Sequence, residues 1–105
     1  MVDPDVPNAQ AGDLRMNYLH WYVSGNSPSC ILNQNPKTVA LYQSPSPLST
    51  TQHRYTFLVY REPAGYVPDE ITPQVRLGFD LNKYTQAAGL VLVGGNFFRE
   101  AITNT

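Results

Sequence analysis

Residues able to bind or react with a ligand fall in three short stretches. "DPDVP" (3–7) supplies Asp3 and Asp5, "NYLHWYV" (17–23) supplies His20, and "HRYTFLVYRE" (53–62) supplies His53. The chain has two histidines. An imidazole inside an apolar run needs a partner, because its ring nitrogens are strong polar groups. "NYLHWYV" offers none, so the partner must come from another part of the chain or from a ligand. Imidazole N–H groups and phenols together make a site suited to a small anion. Asp3 and Asp5 could work as an acid/base pair or cap loop amides.

The elements that must position these groups are strand-like. Side chains alternate faces along a strand. Tyr18, His20 and Tyr22 would then share one face, and Leu19, Trp21 and Val23 the opposite, purely apolar one. In the same way His53 and Tyr55 share a face with Phe57 and Val59. If the strands pair suitably, two imidazoles and two phenols line one pocket. The competing expectation is that each histidine is structural, with a local partner.

Around these runs the pattern is strand and turn. The prolines of "DPDVP" predict a rigid, non-helical loop. "TVALYQ" (38–43) reads as a short strand, and "VLVGGNFF" (91–98) as a final strand or an extended tail segment. "SPSPLSTT" (44–51) and "PAGYVPDEITPQ" (63–74) read as Pro-rich connections. One helix is expected within 79–90, with Asp80 as its cap and Gly89 as its stop. The count is three or four strands and one helix, a thin core for one domain over 1–105.

Composition narrows the function classes. Seven basic and eight acidic residues leave a net charge of −1. No basic stripe is present, so no nucleic-acid partner is expected. "GLVLVGG" is far too short to span a bilayer, so no transmembrane segment is expected. Cys30 is the sole cysteine and reads as a small apolar residue. No G-x-S-x-G elbow or P-loop occurs. The histidines lie 33 positions apart (20 to 53), which is not a local metal-site spacing. No metal or cofactor is expected. Met1 leads straight into "VDPDVP" without a signal peptide, so a cytoplasmic location is the default, with secretion if a signal lies upstream.

"DPDVP", "YLHWYV", "HRYTFLVYRE" and "GGNFF", in that order, resemble the phosphatidylethanolamine-binding protein family. Its pattern is a D-P-D-x-P loop, an L-H-W or H-H-F strand, an H-R-Y strand and a late A-G-N-F-F. The order and co-occurrence carry the resemblance, which runs from Asp3 to Phe98. It implies a mainly β, β-sandwich-like fold with few short helices and a small anion pocket at one edge. It also implies that strands preceding D-P-D-x-P are missing from this chain. Carried over by position, the pocket residues are Asp3, Asp5, Pro7, Tyr18, His20, His53 and Tyr55. His20 would find an aspartate of "DPDVP", His53 and the bound anion as partners. "SPSPLSTTQHR" departs from the family's G-x-P-P-x-G-x-G-x-H-R at Ser44, Leu48 and Thr50, where glycine-specific backbone conformations would be lost.

The resemblance implies a binding protein for phosphate or carboxylate groups, including phospholipid head groups, with a regulatory role. Two alternatives follow from it. Some fungal members are associated with secondary-metabolite assembly, notably anhydride dimerisation of the maleidride type. Other members inhibit a protease or kinase partner through their surface.

Overall fold

A computed structural model of the chain describes residues 1–7, 15–25, 36–45 and 52–101. The fold is mainly β. In chain order the elements are β1 (Val2–Val6), β2 (Met16–Leu19), β3 (Tyr22–Ser24), β4 (Lys37–Ala40), β5 (His53–Arg61), α1 (Leu81–Ala88) and β6 (Val91–Glu100). A single 3-10 turn spans Pro73–Val75. The strands form a four-stranded sheet in the order β2-β1-β5-β6 and a two-stranded sheet, β3-β4. Every strand pair is antiparallel.

Two expectations are corrected. "DPDVP" is a strand, not a loop. It is paired by β2 on one side and β5 on the other. The register with β2 shifts between Asp3 and Val6. That irregularity accommodates Pro4, which has no N–H to give to a ladder. The second correction concerns "NYLHWYV", which is two strands in two different sheets. The chain changes sheet at His20–Trp21, where both backbone N–H groups donate to the Met1 carbonyl, at 2.8 and 3.2 Å. Strict alternation therefore stops at His20. Leu19 is buried, but Trp21 is 38 % exposed, its ring meeting that of Tyr42 edge-on at 5.8 Å.

The hydrophobic cluster draws on both sheets. Val2, Leu19 and Ala40 are buried in it, with Tyr22, Ile71 and Phe79 packed alongside. α1 forms where the sequence placed it. The Asp80 side chain accepts from the Lys83 N–H at 3.1 Å, satisfying a donor of the first turn. Gly89 closes the helix at φ 70°, a conformation that a Cβ disfavours. The Leu90 N–H then reaches the Thr85 carbonyl at 2.9 Å.

β6 stands at the edge of its sheet, and all ten of its residues are exposed. Its apolar members include Val91, Leu92, Val93, Phe97 and Phe98. Phe98 is flanked by Tyr55 and Phe57, and the Arg99 guanidinium lies over the Phe97 ring at 5.2 Å. No described helix is long and apolar enough to cross a membrane. Cys30, Leu48, Thr50 and the polar stretch 8–14 lie outside the described residues.

Candidate functional site

β5 puts His53 and Tyr55 on one face by simple alternation, and both are buried, at 3 % and 1 % exposure. β1 runs beside β5, with Val2 opposite Thr56. This pairing brings Asp3 to His53. The His53 Nδ1–H donates to Asp3 Oδ2 at 2.6 Å. The other carboxylate oxygen of Asp3 accepts from the Asp5 N–H at 2.8 Å. Asp3 thereby fixes the ring orientation and tautomer of His53. The remaining ring nitrogen, Nε2, is buried and has no hydrogen-bond partner among the described residues.

His20 sits where the chain passes from one sheet to the other. Its Nδ1–H donates to the Gln43 carbonyl at 2.8 Å, since a carbonyl can only accept. Its backbone carbonyl in turn accepts from the Gln43 N–H at 2.9 Å. The ring lies 4.8 Å from that of Tyr18 and meets Tyr55 edge-on at 5.3 Å. Tyr55 stacks near-parallel to His53 at 6.4 Å and to Phe98 at 5.4 Å. The Tyr18, His20, Tyr55 and His53 rings thus form a continuous wall, with Asp3 behind His53.

The expected partners of His20 need correction. Asp3 hydrogen-bonds His53, and a backbone carbonyl holds His20. The physical reason is the crossing at His20–Trp21, which ties His20 to the segment following β4 and leaves Asp3 to the neighbouring strand. Burial pushes His20 below the usual imidazole range, against the Gln43 hydrogen bond and the charge of Asp3, which both work the other way. The Tyr55 phenol is pushed up to about 12, first by burial and then by Asp3.

Asp5 takes a different position from Asp3. It contacts Arg54, the β5 residue next to His53, whose side chain leaves the opposite face. Oδ2 accepts from the Arg54 N–H at 2.8 Å and Nε at 2.9 Å, and Oδ1 from Arg54 Nη2 at 2.8 Å and Arg15 Nη1 at 3.2 Å. Burial alone would raise this carboxyl. The Arg54 hydrogen bonds outweigh it and hold Asp5 below the usual range. Pro7, exposed, follows β1.

Two residues escaped the sequence reading. Gln43 accepts at Oε1 from Tyr18 Oη at 2.5 Å and from Arg76 Nη1 at 3.2 Å. Arg76 is itself buried. The available signal was that Arg76 is the only basic residue between Arg61 and Lys83. A cluster of three phenols, Tyr22, Tyr66 and Tyr84, also escaped it. Their hydroxyls lie 2.6, 2.9 and 3.4 Å apart. A separate open groove of about 630 Å³, lined by Ile71, Val75, Phe79 and Tyr84 among others, contains neither histidine.

Residues 1–98 match the family model of the phosphatidylethanolamine-binding protein. The chain belongs to that family. Three relatives are informative. Over 96 % of the chain it is 31 % identical to "Phomoidride biosynthesis cluster protein N" of Talaromyces stipitatus, covering 57 % of that protein. It is 43 % identical to a "26 kDa secreted antigen" of Toxocara canis over 61 % of the chain and 24 % of that protein. It is 37 % identical to "Protein FLOWERING LOCUS T" of Arabidopsis thaliana over 59 % of the chain and 34 % of that protein. The chain thus spans between a quarter and somewhat over half the length of these relatives. No solved structure matches it significantly.

Proposed function

We propose that this chain binds small oxyanions, namely phosphate or carboxylate groups and the head groups that carry them. The pocket is the wall formed by Tyr18, His20, Tyr55 and His53. One observation carries this reading: His53 Nε2 is buried without a partner while Nδ1 is held by Asp3. A buried polar atom left unpaired costs free energy, and a ligand oxygen that accepts from the protonated ring would relieve it. Asp5, saturated by Arg54 and Arg15, serves as scaffold for β1 and β5 rather than as a ligand contact. Membership of the phosphatidylethanolamine-binding family supports a ligand of this class.

Titration calorimetry with inorganic phosphate, phosphoethanolamine and acetate tests the proposal. Binding of at least one ligand by the parent chain, weakened about tenfold or more in His53→Ala, is the expected result. Equal affinity in the two proteins removes the pocket.

The dyad also favours a second reading. An imidazole oriented by a carboxylate, with a free Nε2, has the arrangement of a general base. The similarity to a biosynthesis cluster protein supports a biosynthetic role; the substrate would then be a carboxylate-rich compound seated on the wall, with His53 moving the proton. Exchange of an acidic C–H proton of such a compound into deuterated water, abolished in His53→Ala, would distinguish this role from binding alone.

A further inference from the structure

Gln43 is exposed, yet its hydrogen-bonding groups turn inward. Its backbone holds His20 at both ends, and its side-chain oxygen accepts from Tyr18 Oη at 2.5 Å and Arg76 Nη1 at 3.2 Å. The first is a short O–H···O hydrogen bond. Arg76 is 5 % exposed. Its Nη2 donates to the Leu41 carbonyl and its Nη1 reaches the His20 carbonyl at 3.4 Å. Its Nε is buried with no partner, and among the described residues no carboxylate pairs with it. A buried guanidinium met only by neutral oxygens lacks the anion that its charge and planar fork suit.

A phenol and a guanidinium converging on one oxygen form an oxyanion site, and an amide oxygen fills it. We infer that the Gln43 carboxamide is an internal placeholder, displaced from Tyr18 and Arg76 when an oxyanion binds. This rests on the oxyanion reading of the Tyr18–His20–His53 wall and adds to it a charged anchor beside the His20 backbone carbonyl. The anchor supplies permanent positive charge beside a histidine whose charged form burial disfavours. The device is autoinhibitory: the side chain competes with the ligand for the same donors.

The test is titration with inorganic phosphate, read by calorimetry and by the Gln43 side-chain N–H₂ signals in NMR. In the parent chain those signals should move along the same binding curve as the backbone signals of Tyr18 and His20. Gln43→Met removes the competitor at an exposed position and should tighten phosphate binding about tenfold, the scale of one charge-assisted hydrogen bond. Arg76→Lys, made in that background, should reverse the gain; if it does not fold, Gln43→Met and the side-chain signals carry the test. Unchanged or weaker binding in Gln43→Met, while His53→Ala still loses affinity, overturns the placeholder and leaves the pocket standing. Gln43 signals that stay fixed at saturating phosphate also overturn it. If neither the parent chain nor Gln43→Met binds phosphate, both readings fall.

Discussion

His53 and Asp3 form a buried pair, joined through Nδ1 and Oδ2 at 2.6 Å, with each side chain 4 % exposed. The pair spans 50 positions of sequence and exists because β1 lies against β5. It occupies Nδ1 of His53 and leaves Nε2 as the ring nitrogen without a partner among the described residues.

The two histidines should act as a unit. Each of His20→Ala and His53→Ala should weaken phosphate binding about tenfold or more, since a hydrogen bond to a charged group is worth roughly 1.5–3 kcal/mol. The double variant should lose less than the sum, because one missing donor already lets the ligand shift. Calorimetry on the four proteins checks this. Strictly additive losses would mean that the two rings do not share a ligand.

Lowering the pH should cost stability through His20. Its folded pKa lies below the unfolded value, so between the two the unfolded chain binds more protons. The His20 contribution is present above about pH 6.5, where an unfolded imidazole is neutral, and is lost as pH falls toward the folded value. Urea melts at pH 7.5 and 5.5 should show this loss, and His20→Asn should reduce it. Phosphate binding should strengthen over the same fall, as His20 gains a charge that the anion favours. A flat profile in both measurements would contradict the burial of His20.

Asp5 should separate from the pocket residues. Asp5→Asn removes the anionic partner of Arg54 and weakens four hydrogen bonds. The expected cost is about 1.5–3 kcal/mol of stability, with little change in phosphate affinity at a temperature where the variant is folded. Thermal melting and calorimetry on the same sample check it. A specific loss of affinity with unchanged stability would make Asp5 a ligand contact.

Much of this arrangement was legible in the sequence where local rules decide. β5 and β6 announced themselves through β-branched and aromatic runs, and α1 through Asp80 and Gly89. The sharing of one face by His53 and Tyr55 followed from alternation. Other features depend on tertiary partners. Pro4 argued against a strand, yet a register shift between two flanking strands accommodates it. Trp21 belonged by periodicity with Leu19, but the change of sheet at His20 leaves it partly exposed rather than in the core. Gln43 and Arg76 carry no motif, and their roles emerge only when residues 41–43 lie against residue 76.

The exposed edge of β6 makes the chain prone to self-association. Val91, Leu92, Val93, Phe97 and Phe98 are all more than 40 % exposed, and an unpaired strand edge is a template for pairing. Size-exclusion chromatography of the 105-residue chain should show concentration-dependent association. Val93→Lys should shift it toward monomer. A clean monomer at all concentrations would contradict this.

The account turns most directly on the state of His53 Nε2. Long-range ¹H–¹⁵N correlation of the two imidazoles during a phosphate titration reads that atom itself. The Nε2 signal of His53 should move along a saturating curve and report a ring donating at both nitrogens in the complex, with Nδ1 still held by Asp3. A His53 Nε2 signal that stays fixed while phosphate reaches high millimolar concentration, in a chain that remains folded, would contradict an oxyanion pocket at this site.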